Sequence, residues 1–284
     1  MTTDTAEVLG TGRYDLPEAE YHRDPLRHLG GSLSSTVARK LLPPSCPALA
    51  KHAADNPEHK DAYDLGSVTH KMTLGSGPRI VEVPADTWQT KAAREAREQA
   101  RAEGAVALLS KDVARAVAMR DAVHADPLAH ALLTRPGKPE QTLIWREGDI
   151  WGRAMLDYWP DPDQPGGPIG VDLKKTAKAV DDESLAKTVW QYAYHCQQDW
   201  YQRGYEAVHG LRCDFVFIFV MDAPPHLVRM IRLDDDFLDD ARIRNNNAVK
   251  AWRDCTTADS WPGYVNNLEP IAPPRWANTL EDYT

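Results

Sequence analysis

The stretch from residue 169 to residue 205 constrains the fold of this chain more than any other. It opens with Ile-Gly-Val-Asp-Leu-Lys-Lys-Thr, an apolar run that carries one acid and two lysines. Side chains on a strand alternate between its two faces, so Asp172 and Lys174 are expected to share one face. Val171 and Leu173 then point to the opposite face. The run therefore predicts a short buried strand with a carboxylate and an ammonium group side by side.

The second half of this stretch has the spacing of a helix. Four aromatic residues and a glutamine recur at intervals of three or four positions: Trp190, Tyr194, Gln197, Tyr201 and Tyr205. This spacing places them along one helix face. Gln197 and Tyr201 are one turn apart and are candidates to brace Lys174 and an attacking water, or to touch a phosphate. The aromatic stripe is more typical of a protein core than of a surface for base stacking.

A second aspartate, Asp157, ends another apolar segment. Residues 141–146 and 150–157 flank a Glu-Gly-Asp turn and predict a β-hairpin. Because consecutive strands usually pair, the strand that ends at Asp157 is expected beside the strand of Asp172 and Lys174. Two carboxylates suit Mg²⁺ or Mn²⁺, and a nearby lysine can position a water against an anionic phosphodiester. The sequence therefore predicts a metal-dependent hydrolytic site.

The composition narrows the classes of protein that remain. Lysines and arginines number 33 against 42 acidic residues, a net charge of -9 that argues against a general nucleic-acid coat protein. A metal-dependent nuclease remains compatible, because bound cations partly neutralise its carboxylates. The four cysteines lack the spacing of a zinc or iron–sulfur site, which favours reduced thiols in a cytosol. The chain shows neither a signal sequence nor a membrane span, so we expect a cytoplasmic protein without a membrane partner.

One large domain is expected for residues 1–284, with a loose lead-in over 1–13 and a tail over 261–284 that packs on the domain. The apolar run 214–220 predicts a strand buried on both faces, and 226–233 its edge neighbour. Helices are predicted over 33–42, 62–74, 88–103, 111–124 and from 234 to about 257. The acidic residues of 234–240 are interpreted as the first turn of a helix and not as a metal cluster.

Several of these residues resemble a known family. The order Asp157, Asp172-Leu-Lys174 and Gln197-x-x-x-Tyr201 resembles the PD-(D/E)XK nuclease signature in its RecB-like form. The similarity is closer to the RecE-type exonuclease (exodeoxyribonuclease VIII) domain of phages and prophages. It extends over residues 14–283 through five runs in the same order: Asp64-Leu-Gly-Ser-Val-Thr-His70, Asp172-Leu-Lys-Lys-Thr176, Tyr194-His-Cys-Gln197, Gly204-Tyr-Glu-Ala207 and Pro274-Arg-Trp-Ala277.

The resemblance implies an α/β fold of the restriction-endonuclease-like type, with a central mixed β-sheet flanked by helices. It implies that His70, Asp157, Asp172 and the Leu173 carbonyl hold one or two Mg²⁺ ions, with Mn²⁺ as a substitute. The ions polarise the phosphate and activate a water, which Lys174 orients while offsetting charge in the transition state. Whether Lys174 or Lys175 faces the metal stays open in the family comparison, although the period of two selects Lys174.

Two further groups of residues have two open interpretations each. Glu140 matches a family glutamate that precedes the hairpin. Two interpretations have equal weight: an additional ligand of a metal or water, or a strand-end carboxylate in water. Ser34, Thr36 and Arg39 lie at the start of a predicted helix, where backbone N–H groups favour an anion such as a DNA 5′-phosphate. For each of these three residues taken alone, an ordinary role in capping a helix is favoured.

The function implied by the resemblance is a 5′ to 3′ exonuclease on linear double-stranded DNA. It would leave 3′ single strands for a RecT-like annealing protein, in a homo-oligomeric ring that is often a tetramer. If phage-encoded, it would work in the host cytoplasm. One alternative is a RecB-like or Cas4-like nuclease of other polarity, although the cysteine cluster of the Cas4 form is absent. The other is an inactive DNA-end-binding protein, which would be expected to lack the motif lysine or an aspartate.

Overall fold

The computed structural model describes residues 9–56, 61–266 and 268–272, and only the backbone of residues 61–64. Its strands are β1 Gly12–Tyr14, β2 Ser32–Ser34, β3 Ile80–Val83, β4 Val106–Leu109, β5 Gly137–Pro139, β6 Thr142–Glu147, β7 Ile150–Met155, β8 Tyr158–Pro160, β9 Ile169–Thr176, β10 Asp214–Met221 and β11 Val228–Ile231. Its α-helices are α1 Glu18–His22, α2 Ser35–Leu41, α3 Pro47–Asp55, α4 Asp61–Leu74, α5 Lys91–Ala102, α6 Ser110–Ala125, α7 Pro127–Leu133, α8 Asp182–Tyr192, α9 Tyr194–His209 and α10 Asp235–Ala258. Within this described part, no helix combines the length and apolar character needed to cross a bilayer.

The described strands form three sheets. The largest is mixed and has the order β11-β10-β9-β8-β5, with β9 and β10 parallel and the other pairs antiparallel. A second sheet has the order β1-β6-β7-β2, and β3 pairs with β4 alone. Helices flank these sheets. The predicted α/β class with a mixed sheet between helices is therefore confirmed.

Strand β10 is buried on both faces, as its continuous apolar sequence predicts. Its phenylalanines at 215, 217 and 219 belong to one buried cluster, which also contains residues of α9. Val216, Ile218 and Val220 belong to a second cluster, together with residues of α4 and α6. In the parallel register Asp172 lies opposite Phe217 and Lys174 opposite Phe219. Residues paired in this way share a face, so Asp172 and Lys174 point towards α9.

The hairpin of β6 and β7 forms as predicted, but the prediction that β7 pairs with β9 is wrong. Strand β7 pairs with β6 and β2, not with β9. After Met155 the chain leaves the second sheet and enters the first as β8, where Tyr158 pairs with Val171 of β9. Leu156, at this crossing, is fully buried in the cluster that contains the β10 phenylalanines. Asp157 therefore reaches β9 from the junction between two sheets.

Several smaller elements differ from the sequence prediction. The loose lead-in predicted for residues 1–13 does not extend to residue 13, because β1 pairs with β6 from Gly12 onward. Strand β4 was not predicted, and it provides the parallel partner of β3. Near the C-terminal end of the described residues, Trp261 packs edge-on against Trp252 of α10, with ring centroids 5.5 Å apart. The family run Pro274-Arg-Trp-Ala277 lies outside the described residues.

Trp145 of β6 fixes the position of α9 against the second sheet. Its ring is fully buried and lies 5.1 Å from the ring of Trp200 on α9. Two glycines make room for it, Gly152 directly across the hairpin and Gly204 on α9. A methyl group at Gly204 would come within 2.7 Å of the Trp145 ring, and one at Gly152 within 2.6 Å. Only glycine lets β6 and α9 approach this closely.

We expect Gly204→Ala to lower the free energy of unfolding by about 1–3 kcal/mol, because the added methyl overlaps the Trp145 ring in a packed core. Urea unfolding measures this change. Trp145→Phe in the same chain should recover part of the loss, since a smaller ring leaves room for the methyl. Gly66→Ala is the matched control: Gly66 is also helical, but no atom of the described residues lies within 4 Å of the added methyl. An equal loss of unfolding free energy in Gly204→Ala and Gly66→Ala would contradict this account.

Candidate active site

Strand β9 brings a carboxylate and an ammonium group into contact inside the protein. Asp172 is 1% exposed, and its Oδ2 forms an ion pair with Nζ of Lys174. Lys175, the next residue, lies on the other face and pairs with Asp222 at 3.1 Å. The structure therefore places Lys174, and not Lys175, against Asp172. A buried ion pair of this kind carries a large desolvation cost.

Helix α9 covers this pair with two polar side chains one turn apart. Gln197 Nε2 donates to Asp172 Oδ1 at 3.3 Å and to the Tyr201 hydroxyl oxygen at 2.8 Å. The ring of Tyr201 is buried against Trp159 and Phe215. Gln197 thus orients the carboxylate of Asp172, and Tyr201 holds Gln197 in place. Tyr201 acts on Asp172 through Gln197, with no direct hydrogen bond between the two.

Asp157 approaches from the junction between β7 and β8. Its Oδ2 accepts a hydrogen bond from the backbone N–H of Leu173 at 2.6 Å, which ties it to β9. Its Oδ1 lies 3.4 Å from Nδ1 of His70 on α4. The two aspartates therefore flank the same segment of β9. The Leu173 interaction seen here is made by its N–H, and a metal contact through its carbonyl stays a prediction.

Glu140 lies beside Asp157 and not at the start of a strand. Its backbone adopts a left-handed conformation with φ 48°, and its N–H donates to the Asp157 carbonyl at 3.1 Å. Its Oε2 accepts a hydrogen bond from Ser76 at 2.7 Å. Burial raises the pKa of Glu140, and the charge of Asp157 adds to this effect. Glu140 lies in the turn between β5, which ends at Pro139, and the first hairpin strand, which begins at Thr142.

The two aspartates have opposite pKa shifts. Burial raises the pKa of Asp172 to about 6, and the negative charge of Asp157 adds to it despite the neighbouring Lys174. Burial also acts on Asp157, but His70, Lys174 and the Leu173 N–H together lower its pKa. The pair therefore combines one readily ionised carboxyl with one that is costly to ionise. Adjacent carboxyls with separated pKa values are typical of catalytic sites.

The pKa of each basic group, Lys174 and His70, is raised in this setting. Burial would lower the pKa of Lys174, but the charges of Asp172 and Asp157 outweigh it and raise the pKa. Burial would likewise lower the pKa of His70, and Asp157 reverses that effect through charge and hydrogen bonding. Lys174 is therefore an ammonium donor in this arrangement, since a base with a raised pKa keeps its proton at neutral pH.

The predicted phosphate contacts form an ordinary helix start. Ser34 caps α2 by accepting from the Val37 N–H at 3.4 Å. Arg39 donates to the Tyr192 carbonyl at 2.6 Å and to the Thr36 hydroxyl at 3.4 Å. Helix α2 spans seven residues, too short to provide a strong N-terminal anion site by itself. The interpretation as a helix cap accounts for Ser34, whereas Arg39 lies beside the aromatic residues near Lys174.

The donor set suits a divalent cation, although it does not form a complete cage. No three His, Cys, Asp or Glu side chains within the described residues come together as a metal-binding group. The side chain of Asp64, from the family run that ends at His70, lies outside the description. Oδ2 of Asp172 is buried and contacts the Lys174 ammonium without receiving an aligned hydrogen bond. A buried carboxylate oxygen in that state, beside a second carboxylate, fits the oxygen ligands that Mg²⁺ and Mn²⁺ prefer.

Sequence reasoning missed two contributors to the site. Tyr194, assigned to the core, lies under Lys174 with its ring centroid 4.7 Å from Nζ. Glu18 of α1 interacts with His22, which lowers its pKa, and the charge of His70 lowers it further. Glu18 also raises the pKa of Glu140. The spacing of Tyr194 along α9 could have indicated its position, whereas nothing in the charged segment around Glu18 points to this site.

Comparisons with known proteins agree with this architecture. A family model described as a PDDEXK-like domain of unknown function (DUF3799) matches residues 34–272. A structure from Eubacterium rectale described as "Putative exonuclease" shares 14% identity and a TM-score of 0.63, covering 91% of this chain and 96% of its own. The alignment with a phage-related exonuclease from Haemophilus somnus 129PT has 12% identity and a TM-score of 0.35. It covers 81% of this chain and 96% of that protein. No curated protein matches the chain.

The raised pKa of Asp172 predicts a pH-dependent stability difference from Asp172→Asn, measured without divalent cations. Because the folded pKa of about 6 exceeds the ordinary value of 3.8, the protonated carboxyl favours the folded state. That contribution is complete below the ordinary value and is lost as the pH rises through about 6. The wild type should therefore lose at most about 3 kcal/mol relative to Asp172→Asn across this window. Chemical unfolding of both proteins at several pH values tests this, and a constant difference would contradict it.

Proposed function

The chain belongs to the PDDEXK-like domain family DUF3799, and from this premise we propose that it is a metal-dependent deoxyribonuclease acting at Asp157, Asp172 and Lys174. The observation that carries the proposal is that Asp157, bound to the Leu173 N–H, lies beside the buried Asp172–Lys174 ion pair, with separated pKa values for the two carboxyls. Such an arrangement is costly for a folded protein in the absence of a function. The family match confirms the resemblance to PD-(D/E)XK nucleases, whereas the RecE-type assignment stays a prediction.

In its finer form the proposal is a 5′ to 3′ exonuclease on linear double-stranded DNA that uses Mg²⁺, with Mn²⁺ as a substitute. The RecE-type resemblance supports this polarity and substrate. It also supports a RecT-like annealing partner for the 3′ single strands and a homo-oligomeric ring such as a tetramer. A cytoplasmic location, and a single domain over residues 1–284, belong to the same proposal.

The residues that would hold the cation are Asp157 and Asp172, with His70 and the Leu173 carbonyl as the further ligands that the resemblance implies. A bound divalent cation supplies positive charge that polarises the phosphodiester and lowers the pKa of a nearby water. Gln197 keeps Asp172 oriented through its amide donor. Glu140, beside Asp157, is placed to contact a ligand or a water at the same edge.

Lys174 contributes as a donor and not as a general base. Its raised pKa keeps it protonated, so the ammonium group can orient the attacking water and offset negative charge in the transition state. The lysine is fixed from three sides, by Asp172, by the ring of Tyr194 and by its own strand. A donor held in advance in this way loses little energy to reorganisation during the reaction.

We expect Lys174→Ala to reduce the rate of DNA hydrolysis by at least about 100-fold, because it removes a positioned charge from the transition state. The assay uses linear duplex DNA labelled at the 5′ or the 3′ end, and closed-circular duplex, with Mg²⁺. Release of label from linear DNA alone supports an exonuclease, and the label released first gives the polarity. Release from the 3′ end first would favour the RecB-like alternative.

Lys175→Ala is the matched control for this assay. It removes the same charge one residue away, on the face that pairs with Asp222. Its activity should stay within a few-fold of wild type. Equal activity in Lys174→Ala and wild type would exclude the proposed site, and cutting of circular DNA would exclude a strict exonuclease. DNA binding without hydrolysis in the wild type would favour the inactive end-binding alternative.

Mg²⁺ binding is expected to stabilise the folded wild type, because a ligand that binds only the folded state raises the free energy of unfolding. At about 100 times the dissociation constant the gain is about 2.7 kcal/mol. Thermal unfolding with and without Mg²⁺ measures it. Asp157→Asn should abolish most of the Tm shift, whereas Asp214→Asn, an exposed carboxylate at the start of β10, should keep it. A shift that survives in Asp157→Asn would place the cation elsewhere.

A further inference from the structure

Two tyrosines stack on each other where α8 ends and α9 begins. The ring centroids of Tyr192 and Tyr194 are 5.6 Å apart with an angle of 22° between the planes. Residues two apart on a continuous helix do not face each other, so this stack needs a break between the helices. Ala193 provides it with a left-handed backbone at φ 51° and ψ 44°. Such a conformation costs about 1–2 kcal/mol in a residue other than glycine, and backbone strain of this type concentrates at functional sites.

The stack connects the candidate active site to the protein surface. Nζ of Lys174 lies 4.7 Å from the ring centroid of Tyr194, which is half-buried against Phe217 and Phe219. The next ring, Tyr192, is 49% exposed. A half-exposed tyrosine is ordinary on a protein surface by itself. Here it is the outer member of a series that runs from the buried Asp172–Lys174 pair through two stacked rings to solvent.

Two basic side chains flank the outer ring without an acidic partner. Lys178 lies 5.8 Å from the Tyr192 ring centroid and donates to Gln191 at 2.6 Å. Arg39 donates to the Tyr192 carbonyl at 2.6 Å. Neither Arg39 nor Lys178 forms an ion pair with a described carboxylate. Their positive charges therefore stay available to a polyanion that reaches Tyr192.

We propose that Tyr192 is a stacking platform for an unpaired base of the DNA strand whose phosphodiester lies at Lys174, with Lys178 and Arg39 contacting adjacent phosphates. This inference rests on the proposed function and adds a positioning residue to it. Aromatic side chains stack on any base, and a basic surface beside them follows the sugar–phosphate backbone. A stacked strand rises about 3.4 Å per nucleotide, so the stacked base lies about one to three nucleotides from the scissile bond.

The proposal can be tested with a base that reports its own stacking. Short single-stranded DNA carries 2-aminopurine at one of the first three positions from either end, and is mixed with the protein in EDTA so that no hydrolysis occurs. Wild type should quench the fluorescence at one of these positions. Tyr192→Ala should abolish the quenching and weaken binding about 5- to 150-fold, the effect of one base–aromatic stack. Tyr192→Phe should retain the quenching, because it keeps the ring.

Trp190→Ala is the matched control. Trp190 is equally exposed at 52% and lies two residues away, but its ring stacks on His195 and lies beneath Arg244. The Trp190→Ala variant should quench the 2-aminopurine fluorescence and bind DNA as wild type does. With Mg²⁺, Tyr192→Ala should raise KM for DNA with a single-stranded end more than it lowers kcat. Unchanged quenching in Tyr192→Ala, or an equal loss of quenching in Trp190→Ala, would contradict the proposed stacking role of Tyr192.

The failure of the platform and the failure of the nuclease proposal give different results. If wild type does not hydrolyse DNA but its quenching depends on Tyr192, the platform stands and the nuclease proposal fails. If Lys174→Ala abolishes hydrolysis but Tyr192→Ala changes neither quenching nor KM, the nuclease proposal stands and the platform fails.

Discussion

The burial of Asp172 is the constraint on which the rest of the site depends. A carboxylate that is 1% exposed loses its hydration, and burial accordingly raises its pKa to about 6. Three groups compensate in part: the Lys174 ammonium, the Gln197 amide and, at a distance, any positive charge on His70. Because removing any one of them leaves a buried charge less well compensated, these groups act as a unit. The proposed metal binding would benefit from the same feature, since a cation would solvate the buried carboxylate oxygen.

The fold keeps that unit together by joining elements from two sheets. Strand β9 carries Asp172 and Lys174, while Asp157 arrives at the point where the chain leaves the second sheet for the first. The 2.6 Å hydrogen bond from the Leu173 N–H to Asp157 ties this junction to β9. Trp145, inserted between Gly152 and Gly204, fixes α9 and hence Gln197 relative to the same junction. The geometry of the site is thus determined by backbone approach as much as by side-chain chemistry.

The parts of this arrangement that were predictable follow from short-range periodicity. Alternation placed Asp172 and Lys174 on one face of β9, and the apolar run of β10 identified a strand buried on both faces. The pairing of β7 with β9 was predicted wrongly, because sequential strands usually pair and nothing in the sequence marks a change of sheet at Leu156. The roles of Glu18 and Tyr194 were missed for a related reason. Both depend on how distant segments pack, which no local pattern records.

The net charge of -9 is reconciled with a nucleic-acid substrate by how the charges are distributed. Many basic side chains are neutralised locally, as in the pairs Arg203–Asp199, Lys51–Asp55 and Lys175–Asp222. Arg39 and Lys178, which flank Tyr192, have polar but no described acidic partners. At an ionic strength of 0.15 M, charges interact over about 8 Å, so these nearby cations matter more to a bound phosphate than the acidic surface elsewhere. For the proposed nucleic-acid substrate, we expect the overall negative charge to slow the approach of the polyanion and the local cations beside the site to favour its binding.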